Sequence, residues 1–98
     1  MNIQSELNGT TLTVAPQGRL DTVTAPGLDD FLSAHLDGIT ALRFDLTGLE
    51  YISSAGLRVL LSAQKTMNKQ GSMSLRHVGD VIMEIFEVTG FTDILTIE

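Results

Sequence analysis

The fold is decided by the stretch DLTGLEYISSAGLRVLL at residues 45–61. An apolar, β-prone run from Ala41 to Leu46 stops at Thr47-Gly48, and two adjacent serines then stand directly before a segment with helical periodicity. The pattern predicts a strand-to-helix junction with a hydroxyl group at the helix N-terminus. Backbone N–H groups there lack helical partners and the helix dipole is positive, so a phosphoryl group is well accommodated. Serine is also a favoured N-cap residue, so a purely structural role is the alternative.

Length and composition favour one compact domain spanning residues 1–98, because a hydrophobic fraction of 43% supplies a single, modest core. The chain contains no cysteine, which excludes disulfides, thiolate metal sites and a thiol nucleophile. With only two histidines, we expect no dedicated metal site.

The charge balance favours a protein partner. Six Lys and Arg residues against twelve Asp and Glu residues give a net charge of −6, which opposes binding to nucleic acid or to an anionic bilayer. The first residues lack the pattern of a signal peptide, and no run approaches the ~20 apolar residues of a membrane span. We therefore expect a cytoplasmic protein without direct membrane insertion.

The beginning of the chain has the pattern of a β-hairpin. Two short extended segments, Asn2–Leu7 and Thr10–Gln17, flank Asn8-Gly9, a pair that readily supplies the positive φ of a tight turn. The following segment, Gly18–Thr24, is rich in small polar residues and is predicted to be a loop.

Periodicity predicts three helices and three further strands in the rest of the chain. In order, they are a helix that begins at Thr24-Ala25-Pro26 and is ended by Gly38, a strand over Ile39–Leu46, a helix over Ser54–Gln70 ended by Gly71, a strand over Ser72–His77, a helix over Val81–Thr89 capped by Asp80 and ended by Gly90, and a strand over Ile94–Ile97. The order ββαβαβαβ implies an α/β fold, with a mixed, mostly parallel sheet opened by an antiparallel hairpin.

The segment Leu49–Leu61 resembles the STAS-domain anti-sigma factor antagonists, also called anti-anti-sigma factors. Similar residues recur at Gly18-Arg19-Leu20-Asp21, at Asp45-Leu46 and in the sequence FEVTGF at residues 86–91, so the resemblance covers nearly the whole chain. It implies a STAS-like fold and a regulatory binding module.

The family pattern before the long helix contains an aspartate, a phosphorylated serine and a second hydroxyl residue, followed by glycine and leucine. Aligned on Gly56-Leu57, this resemblance places the phosphorylation site at Ser54. The family's aspartate is Ser53 here and its second hydroxyl residue is Ala55, so this chain departs from the pattern at two positions and Ser53 is a second candidate acceptor.

By resemblance, the unmodified domain binds an anti-sigma factor that is also a serine kinase, which frees a sigma factor, and phosphorylation of Ser54 abolishes this binding. The partner holds the ATP, a serine phosphatase resets the switch, and the chain itself needs no cofactor. The resemblance and the position of the serines predict a partner-binding set of Asp21, Thr22, Ser53, Ser54, Gly56 and Arg58, with Arg19, Glu50 and Tyr51 at its rim. For Gly56, a role in close approach to a partner or strand and an ordinary helix position both remain open.

Two alternatives belong to other functional classes. A STAS domain that only docks, as a scaffold or as the soluble subunit of a transporter complex, is compatible with the departures at Ser53 and Ala55. An enzyme is disfavoured, because no Gly-x-Ser-x-Gly motif surrounds Ser54, no histidine lies at motif spacing and no glycine-rich phosphate loop with a lysine occurs. We predict no catalytic residues, and a monomer or a weak homodimer formed through the hairpin edge or the helix faces.

Overall fold

A computed structural model describes the whole chain from Met1 to Glu98. The regular elements, in chain order, are β1 (Asn2–Asn8), β2 (Thr11–Leu20), α1 (Ala25–His35), β3 (Ala41–Asp45), β4 (Leu49–Ile52), α2 (Ser54–Gln70), β5 (Ser72–Arg76), α3 (Asp80–Thr89) and a 3₁₀ turn (Phe91–Asp93).

The strands form one mixed sheet in the order β1-β2-β3-β5, with β4 also paired to β2. Strands β1 and β2 are antiparallel, and the other pairs are parallel. The predicted fold class is therefore confirmed, including the N-terminal hairpin and the three helices. The hairpin turn lies one residue later than predicted: Gly9 and Thr10 are its central residues, and Gly9 supplies the positive φ of 63°.

Strand β4 is absent from the predicted order. Strand β3 pairs with the first part of β2, and β4 pairs with residues 18–20 of the same strand, so the two short strands form one interrupted line beside β2. Thr47 makes the interruption, since its N–H and hydroxyl groups both donate to Asp45 Oδ1, at 3.1 and 2.6 Å. The predicted Gly18–Thr24 loop is consequently wrong in its first three residues, because pairing with β4 extends β2 to Leu20.

The predicted last strand, Ile94–Ile97, is reduced to a single parallel bridge between Ile97 and Leu75. Gly90 reverses the chain with a φ of 79°, and the 3₁₀ turn follows directly. Few residues are then left to pair: Leu75 N–H donates to Thr96 O, and Glu98 N–H donates to Leu75 O. The C-terminal segment thus reaches the edge of β5 without forming a full strand.

The helices largely follow the predicted bounds. Helix α2 spans Ser54–Gln70 as predicted, and Gly71 follows it. A Cβ on Gly71 would meet Thr40 O at 1.8 Å, so this glycine is required by close backbone approach. Helix α3 begins at Asp80 with Gly79 as its N-cap, so the predicted Asp80 cap is wrong; Asp80 instead places its charge in the first turn, where the helix dipole is favourable to it.

A hydrophobic cluster of 23 buried residues joins the helices to one face of the sheet. Alternate strand residues such as Leu12, Phe44 and Leu75 are buried on that face, whereas Thr13 and Arg43 lie on the other and are half-buried or exposed. The helices therefore cover one face of the sheet. None of them is both long enough and apolar enough to cross a membrane.

Candidate functional site

The start of α2 is fixed by backbone hydrogen bonds of Ser53, its N-cap residue. Ser53 is extended, with φ −98° and ψ 177°. Its N–H donates to Leu20 O at 2.9 Å, and its carbonyl accepts from Leu57 N–H at 2.9 Å. These two hydrogen bonds place the first turn of α2 beside Leu20, the last residue of β2. Asp21 follows Leu20 directly.

Ser54 is the first residue of α2, and its side chain is exposed. The N–H groups of Ser54, Ala55 and Gly56 form no hydrogen bond within the chain. An exposed hydroxyl thus stands beside unpaired donors at the positive end of a 17-residue helix. This arrangement favours a negatively charged group on Ser54.

Ser53, the second candidate acceptor, has a different environment. Its Oγ atom is buried and has no hydrogen-bond partner, and it makes no capping bond to the helix. Because a kinase must reach the oxygen that it modifies, this conformation favours Ser54 over Ser53 as the acceptor.

For Gly56, the two predicted possibilities were close approach to a partner or strand and an ordinary helix position, and the structure supports close approach to the strands. The residue is buried, and a Cβ there would lie 2.7 Å from Leu20 Cγ and 2.8 Å from Ile52 Cγ1. Its missing side chain allows the first turn of α2 to lie directly on β2 and β4. Gly56 therefore positions the turn that carries Ser54.

Asp21 organises the loop that follows β2. Its Oδ1 atom accepts from Val23 N–H at 3.0 Å and from Thr24 N–H at 3.1 Å. The Thr24 hydroxyl in turn donates to Arg19 O at 2.7 Å. The hydrogen bond from Thr24 N–H is the main cause that holds the pKa of Asp21 below its ordinary value. The Asp21 carboxylate therefore fixes the loop beside the serines.

Two of the predicted residues, Thr22 and Arg58, meet in an open groove of about 440 Å³ between α1 and α2. Asp29 and Asp30 line the same groove and were not predicted. The signal that could have identified them is spacing, because with Pro26 they occupy positions i, i+3 and i+4 on one face of α1. The groove thus presents a guanidinium group and two carboxylates beside the start of α2.

The predicted rim residues Arg19 and Tyr51 form a stacked pair. The Arg19 guanidinium lies 4.3 Å from the centre of the Tyr51 ring, and its Nε is 3.7 Å from Asp21 Oδ2. Stacking and ion pairing together hold an exposed cation at the end of β2. Arg19 and Asp21 therefore form one surface with the loop.

A separate polar cluster lies at the interruption between β3 and β4. His77 Nδ1 is 3.0 Å from Asp45 Oδ1. The Thr47 hydroxyl, followed by His77, lowers the pKa of Asp45 to about 2. This cluster supports the strand interruption and shares no residue with the groove.

Comparison with known proteins gives consistent matches over the whole chain. The family model described as "Mlab, STAS domain" matches residues 3–96. An anti-sigma-B factor antagonist of Listeria monocytogenes is 36% identical over 84 residues, which cover 83% of this chain and 73% of that protein.

Two solved structures share the fold. An anti-sigma factor antagonist from Mycobacterium paratuberculosis superposes with a TM-score of 0.88 at 25% identity, covering 98% of this chain and 83% of that one. The Bacillus cell fate determinant SpoIIAA in its phosphorylated form superposes with a TM-score of 0.76 at 16% identity, covering 99% and 91%. At 16% identity the second likeness describes the fold alone.

Proposed function

This chain belongs to the STAS domain family of anti-sigma factor antagonists, and we propose that its unmodified form binds an anti-sigma factor that is itself a serine kinase. Binding releases a sigma factor, and phosphorylation of Ser54 reverses it. Membership in this family makes the chain a regulatory binding protein rather than an enzyme.

The observation that carries the proposal is the exposed Ser54 hydroxyl beside the unpaired N–H groups of α2. Phosphorylation adds about −1.5 to −2 charges and three acceptor oxygens. Within the chain, the helix dipole offsets part of this charge by up to ~1 kcal/mol, so the fold tolerates the modification. SpoIIAA, which shares this fold, exists in a phosphorylated form, and we extend that property to Ser54 as part of the proposal.

The same charge acts differently on a bound partner. A dianion that is desolvated against carboxylates or apolar groups costs several kcal/mol, and every ~1.4 kcal/mol corresponds to tenfold in affinity. The switch then operates in the interface and leaves the fold unchanged.

The proposed interface surrounds the start of α2 and includes both walls of the groove. Asp21 and Thr22 contribute from the loop after β2, and Arg58 contributes from α2. Arg19 is held at the rim by Tyr51. The kinase supplies the ATP, and a serine phosphatase restores the unmodified hydroxyl.

The test is incubation with the cognate anti-sigma factor kinase and ATP, followed by intact-mass measurement. We expect one added phosphate on the wild type and on Ser53→Ala, and none on Ser54→Ala. Modification of Ser54→Ala, or its loss in Ser53→Ala, would contradict the assignment of Ser54. A pull-down with the anti-sigma kinases encoded in the same genome would identify the partner.

A second candidate function is a docking subunit that is not phosphorylated, either as a scaffold or in a transporter complex. It is favoured by Ser53 and Ala55, which replace the acidic and hydroxyl residues of the family pattern at the acceptor. This function predicts that the chain binds its partner, is left unmodified by the kinase, and binds equally well as Ser54→Glu.

A further inference from the structure

Strand β1 forms a free edge of the sheet, since it pairs with β2 alone. Its sequence, NIQSELN, contains one charged residue, Glu6, and no proline. The register with β2 is regular along all of Asn2–Asn8, without a bulge. Sheet edges are normally protected from pairing by charges, prolines or bulges, and this edge has little such protection.

The hairpin geometry determines which peptide groups of β1 face outward. Asn8 and Thr11 flank a two-residue turn and therefore form a hydrogen-bonded pair. Hydrogen-bonded and non-hydrogen-bonded positions alternate along an antiparallel pair. The N–H and C=O groups of Ile3, Ser5 and Leu7 consequently point away from β2, toward the open edge.

We propose that this edge binds a second copy of the chain, with the two β1 strands antiparallel about a two-fold axis at Ser5. In this register Ile3 faces Leu7 of the second copy, and Ser5 faces Ser5 of the second copy. Each of these positions is one with outward peptide groups, and each such pair exchanges two N–H···O bonds. The free donors and acceptors of the two edges are therefore matched.

The side chains of β1 fit the same register. Leu7 is 64% exposed in the single chain, and in the dimer it packs on Ile3 of the second copy. On the other face of the strand, Glu6 lies directly opposite Gln4 of the second copy, and the two Glu6 side chains are diagonal neighbours across the two-fold axis. The two-fold register thus covers an exposed leucine and places no like charges directly opposite each other, which is why we assign the edge to a second copy.

The dimer is weak and strengthens with salt. Each chain carries a net charge of −6, so two copies repel each other, and added salt screens this repulsion. The proposed contact is made by β1, whereas Ser54 lies at the start of α2, so the contact uses no residue of the Ser54 surface. The proposal is therefore independent of the function assigned to Ser54.

Sedimentation equilibrium of the full chain at rising concentration and at low and high salt tests the proposal. We expect the mass to rise from 10.6 kDa toward twice that value at high-micromolar to millimolar concentration, and at a lower concentration in high salt. Leu7→Lys should weaken dimerisation at least tenfold. Val88→Lys is the matched control: it introduces the same lysine at an exposed apolar residue of α3, which is 81% exposed, and this variant should dimerise as the wild type does.

Ser5→Pro provides an independent variant, because it removes an outward N–H group that β2 does not use. It should abolish the dimer while keeping the cooperative unfolding of the monomer, measured by circular dichroism. A mass that stays at one chain in all conditions would overturn the proposal. So would equal dimerisation of Leu7→Lys and Val88→Lys, or an unchanged dimer in folded Ser5→Pro.

Discussion

Ser54 and Gly56 lie two residues apart in the first turn of α2, yet they face opposite environments. Ser54 is exposed beside unpaired N–H groups, whereas Gly56 is buried where a Cβ would lie within 3 Å of Leu20 and Ile52 side chains. A charge can be added on the outward side of the turn without disturbing the packing of the helix. On the inward side, one added methyl group would force the Leu20 and Ile52 side chains to shift.

Under the proposed function, this difference allows the domain to carry a phosphate on Ser54 without disturbing its fold. The core holds the turn through Gly56, and the loop at Asp21 is fixed by its own hydrogen bonds. A charge added on the outward side therefore changes the surface that a partner meets and leaves the packing below it intact.

Substitution of the outward residue should produce the largest effect, and it should appear in binding. Ser54→Glu is expected to weaken binding to the anti-sigma factor kinase at least tenfold, because a charge then enters the interface. Its free energy of unfolding should stay within ~1 kcal/mol of the wild type, since the helix dipole favours the charge. Calorimetric titration and urea denaturation measure the two quantities, with Ser54→Ala as the uncharged control. Equal affinity of the two variants would refute the switch.

Substitution of the inward residue should act on stability. Gly56→Ala is expected to lower the free energy of unfolding by about 1–3 kcal/mol, because its methyl group overpacks the contact with Leu20 and Ile52. Gly27→Ala in α1 is the matched control, since nothing lies within 4 Å of its added Cβ. It should be neutral or stabilise the fold by up to ~1 kcal/mol. If urea denaturation gave the two variants the same stability, the packing role of Gly56 would be wrong.

Substitution of Asp21, in the loop beside the serines, should have a smaller effect, and it should appear in both stability and partner binding. Asp21→Ala removes the acceptor of the Val23 and Thr24 N–H groups and should lower the urea denaturation midpoint, together with a severalfold loss of partner affinity. Asp21→Asn keeps an acceptor oxygen and should retain most of the stability. Denaturation and binding titration of both variants distinguish the contribution of the hydrogen bonds from that of the charge. If Asp21→Ala matched the wild type in stability and in partner affinity, Asp21 would not belong to the site.

The Asp45 cluster should affect acid stability and leave binding unchanged. The pKa of Asp45 is lowered to about 2, so its stabilisation is present above the unfolded pKa of about 3.9 and is lost as pH falls toward 2. At neutral pH, Asp45→Asn should be less stable by about 1 kcal/mol, a figure reduced for the partial exposure of this side chain. The difference should shrink between pH 4 and pH 2 in denaturation curves. A constant difference across that range would show that the carboxylate charge is not involved.

Local patterns predicted the elements whose determinants are local. The apolar spacing of α2 and the glycine after it placed the helix at Ser54–Gln70, and the hairpin followed from alternation and Gly9. Strand β4 and the end of β2 were not predicted, because neither segment has a strand pattern of its own. Residues 18–20 and Leu49–Ile52 are extended because they pair with each other.

In the candidate site, too, features with local determinants were predicted and features that depend on tertiary contacts were not. The serine pair and Asp21 were predicted as site residues from sequence and resemblance, but two adjacent serines have no local feature that makes one Oγ buried and the other side chain exposed. That distinction depends on how the first turn lies on β2. Asp29 and Asp30 enter the groove only because α1 packs beside α2, a tertiary contact that the sequence pattern did not reveal.

The most direct test of the proposed switch compares the phosphorylated and unmodified protein in one pair of measurements. The protein carrying phosphate on Ser54 should bind the anti-sigma factor kinase at least a hundredfold more weakly, as the ~1.4 kcal/mol per tenfold relation gives for a cost of about 3 kcal/mol. Its urea denaturation midpoint should stay close to that of the unmodified protein. Unchanged affinity, or a loss of affinity that is matched by loss of the fold, would contradict a switch located on the outward side of α2.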